Sequence, residues 1–171
     1  MRILALSALA LVAATPAFAQ DEAAATFTGP RVEGVVGWDH VGAEGDGESG
    51  VVYGGAVGYD VQLNNIVLGA EAELTGSSVE EAGVSAGRDI FVGGRIGFAA
   101  GNTLFYGKGG YTNARINIAG IGGEDFDGYR VGAGVEHNFG RFYGKVEYRY
   151  SRYEELDLNR DAVVAGVGIR F

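Results

Sequence analysis

The sequence predicts an all-β fold: an eight-stranded antiparallel up-and-down β-barrel whose strands cross a membrane. Three observations predict it. Apolar residues alternate with small or charged ones in segment after segment, the connections between segments are short and long in turn, and aromatic side chains collect near both ends of the apolar stripes. Successive side chains of a strand leave opposite faces, so a period of two means strands with one apolar side. Glycine fills 31 of the 171 positions, and each interior glycine costs a helix about 1 kcal/mol relative to alanine. Long helices are therefore not expected.

Several function classes drop out early. Lys and Arg supply 13 charges against 22 from Asp and Glu, a net charge of -9, and no stripe concentrates the basic residues, so no nucleic acid partner is expected. With no cysteine there is no disulfide, thiolate nucleophile, Cys-bound zinc or lipoprotein anchor. No cofactor or metal is expected either. Gly107-Lys108-Gly109-Gly110 lacks the earlier glycine and the following Ser or Thr of a phosphate loop, and Gly132-x-Gly134 lacks the third glycine and the helix of a dinucleotide site.

The first nineteen residues read as a secretory signal peptide. Arg2 precedes an apolar run over 3–14, Thr15-Pro16 breaks it, and Ala17-Phe18-Ala19 offers a small-x-small cleavage site. The apolar part is shorter than the roughly 20 residues a spanning helix needs. Residues 20–29 form a flexible lead-in without periodicity, and 30–171 the barrel domain. No later segment is apolar enough for a spanning helix, which leaves a closed barrel as the means of crossing.

The strands follow in order. Over 31–41, Val32, Val36 and Trp38 oppose Arg31, Glu33 and Asp39. Over 51–61, Val51, Tyr53, Val57, Tyr59 and Val61 oppose Gly54, Ala56, Gly58 and Asp60. Over 66–76, Ile66, Leu68, Ala70, Ala72 and Leu74 oppose Glu71 and Glu73. Ile90, Val92, Ile96 and Phe98 oppose Asp89 and Arg95; Phe105 and Tyr111 oppose Lys108; Tyr129, Val131, Ala133 and Val135 oppose Arg130 and Glu136. Phe142, Val146, Tyr148 and Tyr150 oppose Lys145, Glu147 and Arg149, and Val163, Ala165, Val167, Ile169 and Phe171 oppose Arg170 and its neighbouring glycines. About eight strands of roughly 9 to 11 residues result, the length that crosses a bilayer when tilted. Short turns are expected at 62–65, 99–102 and 138–140, and long loops at 42–50, 79–87, 116–125 and 152–159, giving one short-turn rim and one long-loop rim.

A soluble barrel shows the same alternation with its apolar face inward. Aromatic placement decides for the membrane. Tyr59, Phe98, Phe105, Phe142 and Phe171 fall on the apolar face at the short-turn rim, and Trp38, Tyr53, Tyr111, Tyr129, Tyr148 and Tyr150 on the same face toward the long loops. Rings sorted to both strand ends around an aliphatic band form the two girdles of a bilayer-crossing wall. The inward face then carries Glu33, Asp39, Asp60, Glu71, Glu73, Asp89, Glu136 and Glu147 against Arg95, Lys108, Arg130, Lys145, Arg149, Arg170 and Arg31. Eight strands enclose only enough room for side chains, so these charges are expected to pair and fill the interior.

The strands Leu104 to Tyr111 (LFYGKGGY) and Tyr129 to Glu136 (YRVGAGVE), the segment Lys145 to Tyr150 (KVEYRY) and the closing Gly166 to Phe171 (GVGIRF) resemble the small eight-stranded outer-membrane barrels of Gram-negative bacteria, the OmpA-like or porin-family group. The resemblance spans essentially the whole chain after the leader. It implies an outer-membrane location, a structural or surface role without enzymatic activity, a monomer in contact with outer-membrane lipid and lipopolysaccharide, and the barrel-assembly machinery as partner during insertion, with the terminal aromatic Phe171 as the assembly signal. The alternatives are a narrow porin-like channel for ions or small solutes and a lipid A-modifying barrel enzyme. For the enzyme, His40 and His137 are the candidates, but neither has a serine one or two residues away on the same face, and polar residues at a membrane rim are the simpler reading. The acidic loop residues Glu44, Asp46, Glu48, Glu80, Glu81, Glu124, Asp125, Glu154, Glu155 and Asp157 lack the ligand spacing of a dedicated calcium site.

Overall fold

A computed structural model describes residues 26–43, 46–77, 80–81, 84–118, 122–153 and 158–171. The expected leader over 1–19 and most of the lead-in lie outside them. The described strands are β1 (Gly29–Ala43), β2 (Asp46–Leu63), β3 (Ile66–Ser77), β4 (Glu80–Glu81), β5 (Val84–Ala100), β6 (Thr103–Ile118), β7 (Gly122–Phe139), β8 (Phe142–Tyr153) and β9 (Leu158–Arg170). All pairings are antiparallel, β1 pairs with both β2 and β9, and β3 pairs with β5, so eight long strands close into a ring. The two-residue β4 pairs only with β5, beyond that ring. The up-and-down barrel predicted from the sequence is the fold found.

The three short connections are two-residue turns. Asn64, Gly101 and Gly140 each open their turn with a positive φ, of 58°, 61° and 79°, the region that glycine and asparagine enter most easily. At the other rim the expected long loops are corrected. β1 runs to Ala43 and β2 resumes at Asp46, and β6 runs to Ile118 before β7 begins at Gly122, so most of 42–50 and 116–125 is strand. Apolar alternation stops where lipid contact stops, but backbone pairing needs no apolar face and carries the hairpins further.

The lead-in is corrected at its inner end. Gly29 already belongs to β1, and Phe27 is fully buried with Val67, Ala99, Leu104 and Tyr106 at the short-turn mouth. That small cluster closes the apolar end of the interior; elsewhere buried Val35, Val52, Phe91 and Val164 stand among polar and charged side chains.

Candidate functional site

Among the described residues, charged groups converge in the barrel interior. Each strand contributes every second residue to it, and the cross-strand register stacks those residues in layers. In the layer nearest the short turns, Asp60 gathers three arginines. Arg31 Nε donates to its Oδ2 at 3.1 Å, Arg95 donates to both oxygens at 2.9 and 2.6 Å, and Arg170 Nη2 donates at 2.9 Å. Arg95 Nη1 also reaches Glu136 at 2.9 Å. Arg170 Nη2 stands 2.9 Å from Glu136 Oε1 yet outside hydrogen-bonding geometry, since that oxygen has no hydrogen-bond partner.

The middle layer is built on lysines. Lys108 Nζ lies 2.7 Å from Glu71 and 2.8 Å from Glu147, and Lys145 Nζ lies 2.5 Å from Glu33. Tyr106 and Tyr143 donate their hydroxyls to Glu147 and Glu33 at 2.6 and 2.7 Å. Toward the long loops, Arg149 grips both oxygens of Glu73 at 2.6 Å, a bidentate geometry suited to guanidinium and carboxylate. Arg130 Nη2 meets Asp89 at 2.5 Å while its Nε donates to Ser151, and Arg160 joins Asp39 to Asp89. The Phe91 ring lies under Lys108 and Arg130, 4.8 and 5.5 Å away.

The carboxylates of Glu33, Asp39, Asp60, Glu71, Glu73, Asp89, Glu136 and Glu147 are all buried there. Facing them are Arg31, Arg95, Lys108, Arg130, Lys145, Arg149, Arg160 and Arg170, so the signs balance eight to eight and every member lies within ion-pair distance of an opposite charge. Among the described residues a cavity of about 10 Å³, lined by Thr75, Asp89, Arg130, Arg149, Ser151 and Arg160 among others, offers space for roughly one water. Arg160, Asn138, Ser151 and the inward rings Phe91, Tyr106, Tyr143 and Tyr153 extend the set beyond the residues singled out in the sequence. Parity was the available signal, since Tyr106 shares its face with Lys108 and Tyr143 with Lys145.

The outward wall is apolar. Trp38, Tyr53, Tyr59, Phe98, Phe105, Tyr111, Tyr129, Phe142, Tyr148 and Phe171 are exposed, up to 67% at Trp38, and Tyr150 is half-buried. Phe139 and Leu63 add to the short-turn rim. Beyond the outer girdle, hydroxyls of Tyr111, Tyr148 and Tyr150 donate to Asp127, Asp161 and Asn159. The Asp127 carboxyl is held below the usual range, first by the Tyr111 hydroxyl and then by the Asn113 amide.

The two histidines lie at opposite rims. His137 Nδ1 is 2.9 Å from Thr103 Oγ1 and its ring meets Phe139 edge-on at 4.7 Å. His40 stands in register with Ser49 on β2 and with Asp161 on β9, a row that spacing along the sequence does not reveal. Among the described residues no group of three or more His, Asp or Glu is arranged to hold a metal ion. The acidic loop residues Glu44, Glu154, Glu155 and Asp157 lie outside the described residues, as do the side chains of Asp46, Glu48, Glu80, Glu81, Glu124 and Asp125.

Three solved structures share this architecture. Neisserial surface protein A is 14% identical, with 84% of this chain and 98% of that chain aligned at a TM-score of 0.63. The attachment invasion locus protein Ail of Yersinia pestis is 19% identical over 84% and 99%, also at 0.63. The N-terminal β-barrel domain of Pseudomonas aeruginosa OprF is 19% identical over 84% and 98%, at 0.60. At such identities the likeness speaks for the fold. Among curated proteins no sequence matches the chain. The sequence model of the outer membrane protein β-barrel domain matches residues 5–171; with a closed ring of eight strands, ringed by aromatics outside and filled with paired charge inside, the chain belongs to that family.

Proposed function

We propose that this chain is a structural and surface element of the Gram-negative cell envelope, one that passes no solute and performs no reaction. One observation carries the reading: the interior is occupied by eight carboxylates and eight cationic side chains that pair with one another, and an eight-stranded barrel is only wide enough for side chains to fill it, whereas the wider porins keep a water-filled channel. In this reading the leader is removed after Ala19, the barrel stands as a monomer, its wall meets lipid and lipopolysaccharide, and Phe171 presents its exposed ring to the barrel-assembly machinery. Membrane fractionation with and without detergent, combined with migration on a denaturing gel before and after heating, tests it. The expected result is a detergent-extracted protein whose migration shifts on heating; recovery in the soluble periplasm overturns it. Steady conductance of the native protein in a planar bilayer would instead restore the channel.

A second reading, a lipid-directed hydrolase, is favoured only by the register row of His40 with Ser49 and Asp161. Against it, the Asp161 carboxylate already accepts the Tyr148 hydroxyl. His40→Ala is expected to leave the lipid A profile unchanged, and an altered acylation pattern would bring the hydrolase forward.

A further inference from the structure

At the short-turn mouth of the barrel, residues just upstream of β1 pack into the interior. Phe27 has no exposed surface and packs with Val67, Ala99, Leu104 and Tyr106. Two hydrogen bonds to one residue of β2 tie it down: Phe27 N donates to Gln62 Oε1 at 2.7 Å, and Gln62 N donates to Thr28 Oγ1 at 3.0 Å. Its ring lies 5.3 Å from the guanidinium carbon of Arg170.

The layer that this ring adjoins is the most cationic of the interior. Arg31, Arg95 and Arg170 meet on Asp60, with Glu136 as the second carboxylate of the layer, while Arg31 also reaches Glu71 and Glu33 of the next layer. Arg170 Nε and Arg31 Nη1 are buried there without a hydrogen-bond partner. Guanidiniums with spare N–H donors bind anions and water readily. An apolar ring adds nothing to the pairing of such charges beyond its face, but it does exclude water from them, and excluding water strengthens each pair.

We propose that residues 26–28 form a strap, with Phe27 as its stopper, that seals an arginine-rich chamber at the short-turn mouth against bulk water and small anions. Displacing the strap opens the chamber to anions in preference to cations. The ring supplies the seal and the Gln62 bonds hold it in place.

The absence of native cysteine lets one introduced thiol report on the chamber. Ala99→Cys, inside the Phe27 cluster, is modified in detergent-folded full-length protein with negatively and positively charged methanethiosulfonate reagents. With Phe27 present both reactions are expected to be slow. Phe27→Ala is expected to accelerate the anionic reagent by about tenfold or more, as local opening controls access, and the cationic reagent less; Phe27→Leu restores the slow rate. The pair Gln62→Ala and Thr28→Val loosens the strap without touching the arginines and is expected to give an intermediate rate, and it decides the matter should Phe27→Ala fail the heating test for folding. Equal rates in all variants overturn the stopper. Equal acceleration of both reagents overturns the arginine chamber.

Discussion

The inward and outward faces of the same strands obey different energetics. On β8, Lys145, Glu147 and Arg149 are buried and each touches two or more opposite charges, while Val146 and Tyr148 between them are more than half or about half exposed and face outward. Inward side chains depend on one another, because low dielectric magnifies both a satisfied pair and a stranded charge. Outward side chains act nearly alone, each with its own transfer energy into lipid. A substitution inside is therefore felt by its neighbours, and one outside is felt according to depth.

The largest effect is expected where most partners share one residue. Asp60→Ala takes from Arg31, Arg95 and Arg170 their shared carboxylate and leaves them Glu33, Glu71 and Glu136, and removing one member of a buried ion pair typically costs about 3–5 kcal/mol. Urea unfolding of protein folded into lipid vesicles measures it. A loss near zero would mean that water already reaches this layer and that the inward face is not collective.

The outward face is tested by inserting a charge at two depths. Val146, in the aliphatic band, and Phe142, at the short-turn rim of the same strand, both face outward and are exposed. Val146→Arg is expected to cost about 2–4 kcal/mol and Phe142→Arg about 0–1, following the depth profile of a bilayer. Equal costs would remove the distinction between band and girdle.

Glycines sharpen the same contrast at smaller scale. A Cβ on inward Gly110 would fall 2.3 Å from the Val92 carbonyl oxygen and 2.5 Å from Gly93 Cα, both backbone, whereas one on outward Gly34 meets nothing within 4 Å. Gly110→Ala must push β5 from β6, at about 1–3 kcal/mol, and Gly34→Ala is expected to stay within about 0.5 kcal/mol of the parent. Urea midpoints of the two variants distinguish them.

The period of two was legible because lipid outside and charge inside impose opposite chemistry on adjacent residues. It reached the strand count, the turns at Asn64, Gly101 and Gly140, and the fold. It could not reach features set by partners distant in sequence. Phe27 precedes the first alternation, and its burial depends on Gln62, 35 residues later. His40, Ser49 and Asp161 share a row only through register across three strands. Phe91, Tyr106 and Tyr143 are aromatic, the chemistry of the girdles, yet they turn inward because a ring can lie under a guanidinium or ammonium, or give its hydroxyl to a carboxylate. The hairpins extend past the expected loops because backbone pairing leaves no apolar pattern once lipid ends.

The smallest expected effect lies at the outer rim, where charge is exposed instead of buried. Asp127 accepts hydrogen bonds from Tyr111 and Asn113 across the β6–β7 pair, which lower its pKa in the folded state. A carboxyl whose folded pKa lies below its unfolded value contributes stability that is present above the unfolded pKa and is lost as pH falls through the folded one. The parent is therefore expected to lose slightly more urea resistance than Asp127→Asn between neutral pH and about pH 3, with Tyr111→Phe falling between them. Solvent keeps the difference small, since the group is exposed. Identical losses in all three proteins would assign the whole acid sensitivity to the buried carboxylates and make the rim, like the aliphatic band below it, indifferent to protonation.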